Sequence, residues 1–423
     1  MNVFDEFAWR GMVSESTEDI QGVLARERVT AYIGFDPTAA SLHVGSLLTL
    51  MNLARLQRAG HSPIGLVGGG TGLIGDPSGK SQERNLLTFE QVEANAAGIR
   101  SQLERFLDFE ARENPARMVN NVEWLRPIGF LDFLRDVGKH FTVNYMLAKE
   151  SVKRRVGGDE GISFTEFSYQ LLQAYDYLVL FDRFGCTLQM GGSDQWGNIT
   201  SGCELIRRTR GARVHGLVWP LMTTSSGAKF GKTEAGTVWL DPSLTSPFRF
   251  YQFWLNTDDR DVIKYLRYFT WLDRASIDEV DRASAEAPES RLAQRTLARE
   301  LTTMVHGEAE LARAERASAL LFGGSIREAA PEDLLLVFDD VPSCTVTRAA
   351  FEAFTLAAVA VEAGLASSKG EAARLIKQGG VYLNGERVTD ERRRLTMADT
   401  IGGTLAVLQK GQRERRVVRI AGD

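Results

Sequence analysis

The sequence predicts an α/β protein in three parts: a parallel-sheet domain over residues 1–220, an all-α domain over 247–321 and a small α+β domain over 349–423. Three observations carry this division. Near the N-terminus a strand pattern, a helix pattern and a second strand pattern follow one another with short links, which is the βαβ unit of a parallel sheet. Beyond the loop TTSSGAKFGKT (223–233) only helical patterns are found. After a stretch with Gly-Gly, Pro331 and several acids, short strand-like pieces return around one helix. A chain of 423 residues also exceeds one ordinary core.

Taken in order, residues 29–35 read as a buried strand and 44–59 as an amphipathic helix stopped by Gly60. Residues 63–67 read as a second strand, running into GGGTGLIGDPSGK (68–80). Helical patterns resume at 164–184 and 195–208, and again at 248–270 and 291–321. Residues 221–246 form a loop and connector, and 322–348 read as a linker. In the last part, 380–383 and 405–408 are strand-like around a helical 369–378.

The balance of 43% hydrophobic and 25% charged residues excludes a disordered chain. The apolar run 355–361 is too short to span a bilayer, and the N-terminus lacks a basic-then-apolar signal pattern, so no membrane is expected. Cys186, Cys203 and Cys344 show no CxxC pairing, so neither disulfides nor a metal site is expected and a reducing cytoplasm fits. The net charge of −5 argues against a protein coated with nucleic acid. Residues 364–423, however, carry twelve Lys/Arg against seven Asp/Glu, near +5, which is a local RNA contact or an Arg-rich solvated face.

The Gly-rich stretch invites two nucleotide readings. Gly70, Gly72 and Gly75 match the dinucleotide fingerprint, but Pro77 prolongs the loop where a helix must begin. The P-loop reading fails because Ile74 occupies the place of the leading glycine.

Four segments carry more specific chemistry. In YIGFDPTAASLHVGS (32–46) a strand ends in a turn and a helix opens with His43 and Gly45. Gly45 removes a side chain that would hold a nucleotide off the helix N-terminus, and His43 and Thr38 could donate to phosphoryl oxygens. His43 could equally cap its helix. Lys229 and Lys232 lie in a Ser/Gly-rich loop, as solvated surface or as charge that closes over polyphosphate. Tyr169, Gln173 and Asp176 fall at i, i+4 and i+7 of a helix otherwise rich in Phe167, Leu171, Leu172, Leu178, Val179 and Phe181. A polar stripe on so apolar a helix needs a partner: an internal network, a water-lined groove or a small polar ligand. In the strand-to-helix turn GGSDQW (191–196), Asp194 is either a helix cap or a ribose ligand.

Together these segments resemble the tyrosyl-tRNA synthetase family of class I, over essentially the whole chain and in family order. YIGFDPTAASLHVGS is similar to its first signature, GLIGDPSGKSQER (72–84) to its substrate loop and YQLLQAYD (169–176) to its amino-acid helix. GGSDQWGNI (191–199) and KFGKT (229–233), the family's form of the KMSKS loop, complete the resemblance to its active site. SPFRFYQFWLNTDDRDVIKYLRYFT (246–270) resembles the start of the helical anticodon-binding domain. LASSKGEAARLIKQGGVYLNGERV (365–388) resembles a small RNA-binding domain of ribosomal-protein type.

The resemblance implies a Rossmann-like catalytic domain that activates L-tyrosine with ATP and passes it to tRNA, as a cytoplasmic homodimer. It implies that Tyr32 and Asp176 bind the substrate phenol, that Asp76, Tyr169 and Gln173 hold its ammonium group, and that Gln195 lies near its carboxyl end. Gly34, Asp36, Gly45, Ser46, Gly192 and Asp194 would line the adenylate, with Asp194 on the ribose and Leu221 and Met222 against adenine. Thr38 and His43 would meet the transferred phosphates. Lys80, Arg84, Lys229, Lys232 and Thr233 would close over pyrophosphate, with magnesium arriving on the ATP. Ser46 replaces the family's usual His or Asn, and Ile33 stands where many members have Cys, so fewer nucleotide contacts are expected there. The rival readings are a non-catalytic RNA-binding protein on the same scaffold, a nicotinamide oxidoreductase, and the related tryptophanyl enzyme. The intact His43, Lys229 and Lys232 disfavour the first, Pro77 the second, and the Tyr32/Asp176 pair the third.

Overall fold

The structure is a computed structural model that describes residues 2–78, 86–157, 161–225, 227, 230–233, 236–321, 326–338, 341–411 and 414–421. The chain forms two compact units, residues 1–245 with 257–297 and residues 246–256 with 298–423.

The first unit is built on a six-stranded sheet. Its strands are β1 (Glu15–Ser16), β2 (Thr30–Phe35), β3 (Ser62–Val67), β4 (Arg117–Asn120), β5 (Cys186–Gly192) and β6 (His215–Trp219). They lie in the order β1-β6-β5-β2-β3-β4, all pairs parallel except β1 with β6. The central strands are apolar along their length, as a parallel sheet covered on both faces requires: all residues of β6 and all but the first of β3 are buried. β2 connects onward to β3 on one side and pairs with β5 on the other. The order therefore reverses beside β2, and the crevice at the C-terminal ends of β2 and β5 is where such a sheet binds ligands.

The expected βαβ unit is present, with its helix at Val44–Arg58. The helix Phe164–Phe184 also matches the expected span; Ser163 caps its start and Gly185, at φ +61°, ends it. The helix expected at 195–208 runs Trp196–Arg210. The helical span 248–270 is two helices, Pro247–Leu255 and Asp259–Phe269, because Asp258 caps a new start by accepting the Arg260 N–H. The span 291–321 is likewise two, Leu292–His306 and Glu308–Leu321, separated by Gly307 at φ +91°.

The first unit also holds a hairpin of β7 (Lys232–Thr233) and β8 (Gly236–Thr237). In the second unit a five-stranded sheet comprises β9 (Ser343–Thr347), β10 (Val381–Leu383), β11 (Glu386–Val388), β12 (Leu405–Lys410) and β13 (Glu414–Ala421). Its order is β11-β10-β12-β13-β9, and only β13 with β9 is parallel. The stretch read from sequence as a linker contains β9 and the helix Pro331–Val337. Leu334 and Phe338 are buried against Ile401, Leu405, Val407 and Val417, so apolar residues there serve a core.

Candidate active site

A cleft of about 330 Å³ opens at the C-terminal ends of β2 and β5, large enough for a small molecule. Tyr32, Gly34 and Asp36 reach it from β2 and its exit, His43, Gly45 and Ser46 from the next helix, and Asp76 from the Gly-rich loop. Tyr169, Gln173 and Asp176 come from the Phe164–Phe184 helix, and Gly192, Asp194 and Gln195 from the turn after β5. Leu221 and Met222 follow β6. Thr38 is the exception: it sits on the exposed loop after Asp36 and does not line the cleft. Lys80, Arg84 and Lys229 lie outside the described residues. Lys232 and Thr233 are placed by their backbone in β7.

His43 caps its own helix: its Nδ1 accepts the Gly45 N–H at 3.0 Å, which leaves the proton on Nε2. Gly45 therefore also has a local reason. A Cβ there would stand 2.8 Å from His43 Cε1, so the glycine makes room for the imidazole itself. The loop before His43 is held from the helix Phe89–Phe106. Asn95 Nδ2 donates to the Pro37 carbonyl at 3.0 Å, and Gln102 bonds both the Leu42 N–H and Ser41 Oγ at 2.8 Å.

Asp176, 1% exposed, accepts Asn121 Nδ2 at 2.9 Å and Trp124 Nε1 at 2.7 Å. Burial pushes its carboxyl up to about 7, against the pull of those two donors. A carboxylate has about four acceptor sites, so roughly two are left for a ligand. Tyr32 is fully buried, and its hydroxyl has no hydrogen-bond partner among the described residues. Burial first, and Asp176 second, hold that phenol well above its ordinary range, so it stays a neutral donor. Gln189 Oε1, on the neighbouring strand β5, is also buried and has no hydrogen-bond partner among the described residues.

The rest of the stripe is tied into a network. Tyr169 Oη donates to Asp36 Oδ2 at 2.8 Å, and Thr71 Oγ1 donates to Asp36 Oδ1 at 2.7 Å. Gln195 Nε2 donates to Asp76 Oδ2 at 2.6 Å, and Gln173 Nε2 to Gln195 Oε1 at 3.2 Å. Asn198 Nδ2 completes the chain on Gln173 Oε1 at 3.0 Å. Asp194 is pushed up by burial first and by Asp76 second. The cleft is thus lined by Asp36, Asp76, Asp176 and Asp194, with no lysine or arginine among its described lining residues. That balance suits an ammonium group, and phosphate would need positive charge brought from elsewhere.

Sequence reasoning missed Thr71, Asn121, Trp124, Gln189 and Asn198. Asn121 also occupies the Gly70 N–H, and Asn120 the Gly69 N–H, at 2.7 and 3.1 Å. The Gly-rich loop then turns through the short 3₁₀ helix Thr71–Leu73. Its backbone donors are committed internally, against a dinucleotide cradle.

Comparison with known proteins shows the family. Residues 24–323 match the class I tRNA synthetases for tryptophan and tyrosine, and 333–418 match the C-terminal domain of SYY-like tyrosine–tRNA ligases. The chain is 58% identical, over 420 residues and 99% of both chains, to a tyrosine–tRNA ligase of Roseiflexus castenholzii. It is 52% identical to that of Geobacillus stearothermophilus over 424 residues, 100% of both. Its structure resembles a C-terminally truncated mitochondrial tyrosyl-tRNA synthetase from Aspergillus nidulans, with TM-score 0.69 and 31% identity over 76% of this chain and 94% of that one. A tryptophanyl-tRNA synthetase from Encephalitozoon cuniculi shares the fold, at TM-score 0.53 and 14% identity over 74% of this chain and 87% of that one.

Proposed function

The chain belongs to the tyrosyl-tRNA synthetases of class I, and from that premise we propose how its cleft performs tyrosine–tRNA ligation. The substrate phenol sits between Tyr32 and Asp176. The observation that carries this is the buried Tyr32 hydroxyl, which has no partner among the described residues, next to a carboxylate with acceptor sites to spare. A buried unpaired hydroxyl is costly unless a ligand completes it. Phenylalanine would leave both groups unsatisfied, an effect for which the handling of tyrosine against phenylalanine by this family is itself the standard example. Asp76, Tyr169 and Gln173 hold the substrate ammonium in the acidic cleft, and Gln195 lies toward its carboxylate.

Adenylation needs no general base, because the substrate carboxylate is already an anion at neutral pH. It attacks the α-phosphate of ATP in line and pyrophosphate leaves, so catalysis rests on position and charge. We assign Gly34, Asp36, Gly45, Ser46, Gly192 and Asp194 to the adenylate, with Leu221 and Met222 against adenine. His43 meets the phosphates, and Thr38 reaches them from its exposed loop outside the cleft lining. Lys80, Arg84, Lys229, Lys232 and Thr233 supply the positive charge that the described lining lacks. Magnesium belongs to the ATP substrate, held by its phosphate oxygens. A ribose hydroxyl at the tRNA 3′ end then takes the tyrosyl group.

We assign 247–321 to the anticodon arm and 349–423 to further tRNA contact, where Lys369, Arg374, Lys377, Arg392 and Arg394 are exposed. Exposed Phe130, Leu131, Leu134, Val143, Leu147 and Phe164 support a homodimer, which sedimentation of a Leu131→Asp variant would test. Cytoplasmic placement follows from the substrates; among the described residues no helix is long and apolar enough to cross a membrane.

The phenol reading is tested by Tyr32→Phe. It should raise KM for tyrosine while KM for ATP holds, and an unchanged tyrosine KM would remove Tyr32 from the pocket.

A further inference from the structure

Asp261, Tyr265 and Phe269 stand at i, i+4 and i+8 of the Asp259–Phe269 helix and so share one face. That face meets both ends of the segment leading into KFGKT. Asp261 Oδ2 accepts the Ser225 N–H at 2.8 Å. The Phe230 ring packs edge-on to Tyr265, with centroids 5.0 Å apart, and stacks on Phe269 at 5.6 Å and 19°. All four side chains are buried. Ser225 and Phe230 therefore bracket the short stretch that contains Lys229.

The path beyond Phe230 is equally constrained. Gly231, at φ +79°, passes so close to Val44 that a Cβ would stand 2.9 Å from Val44 Cγ2. Val238 bonds the Gly231 carbonyl with its N–H at 3.1 Å and accepts the Val44 N–H at 3.0 Å. The backbone thus goes from the aromatic cluster straight onto the start of the helix that carries His43. The other end of the Asp259–Phe269 helix is fixed to that same helix. Arg55 Nη2 donates to the Tyr268 and Thr270 carbonyls at 2.8 and 3.0 Å, and Arg10, at the end of the separate helix Val3–Trp9, donates Nη1 to the Arg267 carbonyl at 2.6 Å. One helix is therefore clamped to the His43 helix at its C-terminus and holds Ser225 and Phe230 along its side.

We infer that Asp261, Tyr265 and Phe269 are positioning residues for adenylate formation, setting the register in which the loop brings Lys229 and Lys232 to the departing pyrophosphate. The inference rests on the reading of that loop proposed above and extends it to residues no catalytic motif contains. These side chains act through the lysines, since none of the three lines the cleft. A first-turn acid and two core aromatics would also stabilise the fold, so the test must separate rate from stability.

Single-turnover tyrosyl-adenylate formation and equilibrium tyrosine binding should be measured on the full chain with Asp261→Ala, Asp261→Asn and Phe269→Leu. Asp261→Ala is expected to slow adenylate formation by about tenfold or more while tyrosine Kd stays within about twofold, because misplacing a group by an ångström is that costly. Asp261→Asn keeps an acceptor for the Ser225 N–H and should recover most of the rate; Phe269→Leu keeps the apolar volume, loses the stacked ring and should be slow. In a Lys229→Ala/Lys232→Ala background the loss from Asp261→Ala should shrink to about twofold or less, since coupled groups are not additive. A folded Asp261→Ala protein at the parent rate overturns the inference. So does a loss of equal factor in the lysine-free background, or a tyrosine Kd that weakens in step with the rate. If Asp261→Ala does not fold, Phe269→Leu carries the same comparisons. A lysine-free protein that forms adenylate at the parent rate overturns the loop reading itself and this inference with it, a result distinct from failure at Asp261 alone.

Discussion

The Trp124 indole N–H donates to Asp176 Oδ1 at 2.7 Å, and with Asn121 on the other oxygen it fixes the carboxylate plane at the closed end of the cleft. Asp176 is thereby held as an acceptor with no lysine or arginine among the described residues of the cleft lining. Replacing it by Asn puts an NH₂ where a donor already points. Asp176→Asn should lower kcat/KM for tyrosine by about 2–4 kcal/mol in a protein that remains folded. Unchanged tyrosine kinetics would remove Asp176 from the site.

The raised carboxyl gives a pH dependence of definite sign. Its pKa in the fold, about 7, lies above the ordinary 3.8, so burial favours the proton. The stability contributed in this way is complete below pH 3.8 and is lost as pH rises through about 7. A phenol donating to the carboxylate favours the ionised form instead. Tyrosine should therefore bind more tightly as pH rises from about 6 to about 8, and Asp176→Asn should flatten the profile. A flat profile in the parent protein would contradict the assignment.

Gly45→Ala should displace the His43 ring from its cap. About 1 kcal/mol of stability should be lost, as for other N-cap losses, together with a fall in the adenylation rate at unchanged tyrosine Kd. Thermal melts and stopped-flow kinetics on one preparation check both. A variant with full rate would mean that the histidine works without its cap.

Two glycines predict opposite signs. A Cβ on Gly98 would stand 2.0 Å from the Ala40 carbonyl oxygen, between Asn95 and Gln102 on the face that holds the loop carrying Thr38. Gly98→Ala should cost about 1–3 kcal/mol and slow adenylation. Gly370 has nothing within 4 Å of a Cβ and sits at the start of the Lys369–Lys377 helix, so Gly370→Ala should be neutral or stabilise by up to about 1 kcal/mol. Chemical denaturation of both variants decides the contrast.

Truncation after Leu321 should keep tyrosine-dependent pyrophosphate exchange and lose most tRNA charging. Every residue assigned to the small substrates precedes Glu234, whereas the net positive segment follows Gly364. Binding of tRNA to the full chain should weaken steeply with salt. Charging by the truncated protein at the full-length rate would separate the basic segment from tRNA binding.

What was legible in the sequence follows from what local pattern can encode. The polar stripe of Tyr169, Gln173 and Asp176 was visible because an acid on an apolar helix has no local explanation. Asn121 and Trp124 were not, since they reach Asp176 from the short helix Val122–Leu125 and the residue that precedes it, and no spacing rule joins residues 52 and 55 apart. Gly45 also makes room for the His43 ring, a contact between residues two apart that composition and spacing do not show. The strand β11 escaped although Asn384-Gly385, at φ +50° and +86°, is the turn signal of a tight hairpin. The helix 331–337 escaped because seven residues carry too few turns for a period to register.

The central claim is that the cleft reads a phenol through Tyr32 and Asp176, and ATP–pyrophosphate exchange tests it most directly. The purified full-length protein should be assayed with tyrosine, phenylalanine, tryptophan and no amino acid. The account predicts exchange with tyrosine and strong discrimination against phenylalanine, the effect of unpaired buried polar groups for which this family is itself the standard example. Tryptophan and the blank should give background. Exchange supported equally by phenylalanine or tryptophan would contradict it.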